Sequence, residues 1–153
     1  MTSEPLAASV RHATPADAAA ITVLLAELGY PDTVESVASR VARATADGPD
    51  AVLVSNLGGV VAAVASIHLI PLFHRDGFLA RVTSFVVAED LRHRGVGTAL
   101  LGACERWAWK RRAKRLEITS GDERDGAHRF YERQGYARQG LRLSKWLHKS
   151  ARE

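Results

Sequence analysis

A chain of 153 residues is the length of one domain, expected here to run over 1–153, and it can bury a core without disulfide or metal staples. Its composition, 46% hydrophobic and 25% charged with 12 Gly and 5 Pro, excludes a disordered, collagen-like or disulfide-rich chain, and the one cysteine, Cys104, forbids an internal disulfide and suits a reducing compartment. The net charge of +4 admits an anionic ligand and requires none.

The predicted elements begin with a short strand at Ser9-Val10-Arg11. Thr14-Pro15-Ala16-Asp17 reads as a helix start, with Thr14 as cap and Pro15 in the first turn. Ile21, Leu24, Leu25 and Leu28 follow at helical spacing until Gly29. Asp32-Thr33-Val34-Glu35 has a capping-box pattern and predicts a second helix to about Ala46. Ala51–Val54 and Val60–Leu69 are β-type runs around Asn56-Leu57-Gly58-Gly59, a hairpin signal. Pro71–Gly77 is the next turn and Leu79–Val87 a third β-rich run. Helical spacing returns at Val96, Leu100, Cys104 and Trp107, followed by a buried strand Leu116–Thr119 and a short helix Ala127–Arg133 closed by Gly135. Tyr136–Ala137 and Leu141–Leu147 are expected to be the last strands. This β α α β β β α β α β β order predicts an α/β (α+β) protein with a mixed sheet flanked by helices.

The stretch with the most chemistry runs from Phe85 to Leu101, where a strand enters a turn holding Gly95 and Gly97 and leaves as a helix. Glycines let a ligand approach the main chain, and the first N–H groups of a helix lack internal partners. Together with Arg92, His93 and Arg94 this makes an anion site that suits a diphosphate. The pattern is not a P-loop, because no Lys precedes Thr98.

Arg92-His93-Arg94-Gly95-Val96-Gly97 resembles the Arg/Gln-x-x-Gly-x-Gly/Ala signature of the GCN5-related N-acetyltransferases. Ala127-His128-Arg129-Phe130-Tyr131-Glu132-Arg133-Gln134-Gly135-Tyr136 resembles the family's Ala-x-x-Phe-Tyr-x-x-x-Gly-Phe/Tyr segment, one helix and one strand further on. The resemblance implies a mostly antiparallel twisted sheet, with acetyl-CoA as acyl-donor cosubstrate in a gap between the fourth and fifth strands. It implies pantetheine on the main chain of Phe85, Val86 and Val87, and the pyrophosphate on the turn from Arg92 through His93, Arg94, Gly95, Val96 and Gly97 to Thr98. It also implies Tyr131 as the general acid for the departing thiolate. Two positions depart from the pattern. Arg124 stands where an asparagine is common and could reach a CoA phosphate, and Glu89 stands where many members have proline.

The implied activity is transfer of an acetyl group from acetyl-CoA to a primary amine by direct attack in a ternary complex. A small-molecule acceptor is favoured over a protein. The alternative is a non-catalytic CoA-binding or nucleic-acid-binding regulatory module on the same fold; nucleic acid is disfavoured because no helix-turn-helix pattern appears. Among general-base candidates Glu89, His68, His74, Asp76, Glu117 and His128, spacing selects none, and Glu117 is foremost only for its place beside the cofactor gap. Cys104 and the tryptophans read as core or interface residues, and the Lys110–Arg115 cluster as a solvated helix end. No histidine has metal-ligand spacing, so no metal is expected. The apolar stretch Val60–Ile70 is too short to span a bilayer, and Met1–Val10 lacks a basic-then-apolar signal. A cytoplasmic protein with no membrane partner is expected, and a homodimer is admitted.

Overall fold

The computed structural model describes residues 7–119 and 125–148. The chain divides into two compact units, residues 1–120 and 121–153.

The first unit is a five-stranded sheet in the order β1-β2-β3-β4-β5, with strands Ser9–His12, Asp50–Leu57, Val60–Pro71, Phe78–Val87 and Ala113–Ile118. The first four are antiparallel neighbours, and β5 lies parallel to β4. The β2–β3 hairpin closes at Gly58 and Gly59, whose φ values of 59° and 80° are those of a tight primed turn. Parallel pairing needs a crossover, supplied by α3, Val96–Lys110.

Helix α1, Ala18–Leu28, follows a 3-10 turn at Pro15–Asp17, so regular helix starts later than Thr14 suggested. The Asp17 carboxylate accepts the Thr14 N–H at 2.8 Å and both end nitrogens of Arg11 at 2.7 and 2.8 Å, which ties β1 to the helix start. Gly29 ends α1 in the left-handed region with φ 103°. Helix α2, Val34–Arg43, is capped by Thr33, whose hydroxyl accepts the Ser36 N–H at 3.1 Å. It stops three residues short of the expected Ala46, because Ala44 turns to an extended ψ of 90°.

Strand alternation gives the sheet two apolar faces. One carries Ala51, Leu53, Ala63, Ala65, Ile67, Ala80 and Val82 and packs on Val96, Leu100, Cys104 and Trp107 of α3. The many alanines leave room for the larger α3 side chains; Leu100 is fully buried, worth about 1.5–3 kcal/mol. The other face carries Val54, Val64 and Val86 and is covered by Ile21 and Leu24 of α1 and Val37 and Val41 of α2.

The second unit contains α4, Asp125–Arg133, with Gly135 at φ 93° after it. The strands expected at Tyr136–Ala137 and Leu141–Leu147 do not form within residues 136–148. Alternation is half of a strand; a ladder partner is the other half, and this segment joins no ladder. Gly140 takes φ 72°, and Leu141 and Leu143 are each 84% exposed. Among the described residues no helix is long and apolar enough to cross a membrane.

Candidate functional site

The β4–β5 ladder runs from Phe78 to Val82, where Val82 faces Ile118 and the Thr119 N–H reaches the Val82 carbonyl at 3.2 Å. The β4–β3 ladder continues five residues further, to Val87 opposite Ala63. Strand β4 therefore outlasts its pairing with β5, and the register shift at Ser66/Ile67 leaves Thr83 as an extra residue at the same point. Such a bulge bends the strand and re-aims its side chains. The Ala88 N–H donates to Ala62 on β3 at 2.8 Å. Main-chain groups alternate between strand edges, so the N–H of Val87 is directed to the side of β4 away from β3, while Val86 turns its main chain to Val64 on β3. Phe85 and Val87 place their side chains against the α3 core and Val86 its own in the opposite core.

Beyond Val87 a 3-10 turn, Glu89–Leu91, leads to Arg92, His93 and Arg94, all exposed. His93 takes φ 64° and Gly95 φ 78°. Gly95 is the N-cap of α3, and a β-carbon there would meet nothing within 4 Å. Val96 anchors the helix start in the core at 1% exposure. The first helical bond runs from the Ala99 N–H to the Gly95 carbonyl at 3.0 Å, so the N–H groups of Val96, Gly97 and Thr98 have no partner within the helix. An open left-handed turn, three outward basic side chains and these N–H groups fit a diphosphate, and the strand edge before them fits an extended, amide-bearing arm.

Tyr131 lies on α4, in van der Waals range of Phe130 and Tyr136, with ring centroids at 5.3 and 6.2 Å. The helix end is tied by the Gly135 N–H on the Glu132 carbonyl and the Tyr136 N–H on the Tyr131 carbonyl, both at 3.0 Å. The left-handed Gly135 makes this double cap, so the Tyr-x-x-x-Gly-Tyr spacing fixes the backbone that carries Tyr131. Arg124 lies outside the described residues.

The base candidates separate by their partners. Glu117 on β5 has Oε2 held by Arg81 at 2.9 Å and Oε1 by Arg115 at 2.8 Å. His128 Nδ1 accepts from Arg138 at 3.0 Å. His68 joins Asp50 and Thr83 in a hydrogen-bonded chain with 2.8 Å links. Thr83 was not among the sequence candidates; its signal is the adjacent polar pair Thr83-Ser84 inside the β-rich run Leu79–Val87, where the register shifts.

Cys104 and the basic end of α3 have structural parts. Cys104 is fully buried, and desolvation, then the nearby Glu105 charge, pushes its thiol up to about 12, so it is inert as a nucleophile at neutral pH. Arg111 stacks on Trp107 at 4.3 Å and donates to the Ala46 carbonyl at 2.9 Å, so the basic helix end is partly structural. A cavity of about 420 Å³ lies between β1 and the C-terminal half of α3, lined by Arg11, His12, Arg106 and Lys110 among others, and includes none of the expected site residues. Trp109 is 82% exposed. Among the described residues no group of three or more His, Cys, Asp or Glu is placed to hold a metal.

The aminoalkylphosphonate N-acetyltransferase of Salmonella typhimurium is 30% identical over 89 residues, 58% of this chain. The match likewise spans 58% of that relative's own length. Among solved structures, the aminoglycoside N-acetyltransferase AAC(6')-Iy in complex with CoA superposes with a TM-score of 0.80 at 13% identity, covering 97% of this chain and 99% of that one. The glucosamine-6-phosphate N-acetyltransferase from Arabidopsis thaliana gives 0.79 at 19% identity, covering 93% and 99%. These two show the shared fold. The family described as "Acetyltransferase (GNAT) family" matches residues 20–136, and with the divergent β4 and the Gly95–Thr98 helix start this places the chain in the GCN5-related N-acetyltransferase family.

Proposed function

We propose that the whole chain acts as one acetyl-CoA-dependent N-acetyltransferase domain that acetylates a primary amine on a small molecule. The observation that carries this is the departure of β4 from β5 after Val82, on the strand that leads through Val87 to the glycine turn and to the N–H groups of α3 that have no partner within the helix. On this reading the diphosphate of acetyl-CoA lies on residues 92–98 and its pantetheine arm along the gap side of β4. Val87 offers a main-chain N–H to that side, and Phe85 and Val86 fix the strand in the two cores. Arg124 is proposed to reach a CoA phosphate.

The acceptor nitrogen attacks the thioester carbonyl directly, a C–N bond forms as the C–S bond breaks, and the phenol of Tyr131 delivers a proton to the departing sulfur. A phenol titrates near pH 10, so it holds that proton at neutral pH. Bringing amine and thioester together in one gap supplies proximity. The small-molecule preference is supported by the relatives' substrates, an aminoalkylphosphonate, an aminoglycoside and a hexosamine phosphate, as their names state them. A cytoplasmic location is proposed from the single buried thiol, and a homodimer would have the exposed Trp109 as apolar surface. The test is release of free CoA from acetyl-CoA over a panel of polyamines, aminoglycosides, amino sugars, 2-aminoethylphosphonate, amino acids and N-terminal peptides. Turnover of a small amine ahead of the peptides is expected, and CoA release with none of them would refute the reading.

A further inference from the structure

On the sheet face away from α3, next along the strands from the valines that α1 and α2 cover, polar side chains of three strands form one connected group. His68 on β3 bonds through Nδ1 to Asp50 on β2 at 2.8 Å and through Nε2 to the Thr83 hydroxyl on β4 at 2.8 Å. Ser66 Oγ is 2.9 Å from the same hydroxyl. The pairing register sets this up: Asp50 is the cross-strand partner of His68, and the bulge swings Thr83 toward Ser66 and His68. The group is open to an incoming molecule, with His68 34% and Asp50 54% exposed.

Its place is set by the order of the cofactor's parts. With the diphosphate at residues 92–98 and the arm running back along β4 from Val87, the acetyl end points toward Thr83, where β5 separates. We propose that His68, oriented by Asp50, takes the proton from the acceptor ammonium through the Thr83 hydroxyl; this rests on the acetyl transfer proposed above.

The chemistry follows from the hydrogen bonds. A carboxylate at Nδ1 accepts, so the ring proton sits on Nδ1 and Nε2 presents a lone pair. The Thr83 hydroxyl donates to that lone pair, accepts from the Ser66 hydroxyl, and keeps one lone pair for an incoming N–H. Of the three protons on the ammonium, one passes by Thr83 to His68 and then to solvent. One is balanced by the proton that Tyr131 gives to the sulfur, and one stays on the amide. Asp50 is a positioning residue in this scheme. Among the described residues, the charged groups next along this register are Arg81, the partner of His68 on β4, and Glu117 on β5. Arg81 bonds Glu117, and Arg115 takes the other Glu117 oxygen, so this carboxylate is engaged by two guanidinium groups while Nε2 is not.

The test uses the whole chain and the fastest amine of the panel above, with kcat/KM for the amine followed from neutral to alkaline pH. His68→Gln is expected to lower kcat/KM about 100-fold at neutral pH, with the deficit closing as the amine loses its proton in solution. Asp50→Asn should give a smaller loss and a mixture of His68 ring tautomers, because the acceptor that fixes the Nδ1 proton is gone. Thr83→Val should resemble His68→Gln, and Thr83→Ser should restore the rate. Stabilisation by acetyl-CoA should be the same in all four. Independently of activity, nitrogen NMR of the His68 ring should find the proton on Nδ1 at neutral pH. A wild-type pH profile in His68→Gln, or a ring proton on Nε2, would overturn the proposal. No CoA release by the unmodified protein with any amine would instead overturn the acetyl-transfer reading, whatever the tautomer.

Discussion

At Asp17 a carboxylate with 10% of its side chain exposed receives two bonds from Arg11 and one from the Thr14 main chain. The Arg11 hydrogen bond is the chief cause that lowers its pKa from 3.8 to about 2. A carboxyl more acidic in the folded than in the unfolded chain stabilises the fold above the unfolded value, and the gain is lost as pH falls from about 4 toward 2. Arg11 is 44% exposed, so solvent screening trims the effect to about 1–2 kcal/mol. Asp17→Asn should lose that much in urea unfolding at neutral pH, and the gap to the unmodified protein should close in acid; a gap independent of pH would refute the ion pair's role. Tyr131→Phe keeps the ring beside Phe130 and Tyr136 and removes only the hydroxyl. Turnover should fall about 10- to 100-fold, at or below the lower limit of the roughly 10²–10⁴-fold usual for general acid help, because a CoA thiolate leaves readily. Acetyl-CoA affinity should hold, and equal losses in affinity and turnover would make Tyr131 a positioning residue. The helix that carries Tyr131, and its glycine end, were legible because that motif is contiguous in sequence. The Asp50–His68–Thr83 chain was not: it depends on the register of three strands and on a bulge, neither of which a single strand's pattern records.

Among the elements, α3 and the turn before it make the sharpest demands. An acidic side chain in a first helical turn suits the helix dipole, so Gly97→Glu should leave the protein folded. It also sets a negative charge where the diphosphate is proposed to lie, and acetyl-CoA binding measured by calorimetry should be abolished. Unchanged binding would mean that the turn has another role. Gly95→Ala meets no neighbouring atom, so its cost is the left-handed φ of 78°, about 1–2 kcal/mol of stability. The elements of the first unit were readable because each carries its own punctuation: Thr33 before α2, Gly29 after α1, Gly58-Gly59 between β2 and β3. Their ends were less so, since α2 and β3 stop where backbone angles and pairing change. The two strands expected after α4 show the limit most plainly. Leu141 and Leu143 alternate with polar residues as strand residues do, yet a lone alternating segment does not specify the edge it must join.

For the whole molecule, the Ala-rich face beneath α3 and the valine face beneath α1 and α2 hold β4 in two cores, while its last five residues continue past the end of the β4–β5 ladder. That arrangement, a strand packed in two cores with one edge departing from β5, is what the acetyl-CoA reading needs, and it places cofactor binding ahead of any question about the acceptor. Thermal unfolding of the intact chain against rising acetyl-CoA tests it most directly. A ligand that binds only the folded state adds about 2.7 kcal/mol at roughly 100 times its dissociation constant. The melting temperature should therefore climb with concentration in the unmodified protein and stay flat in Gly97→Glu. A melting temperature that does not move at millimolar acetyl-CoA would contradict the assignment.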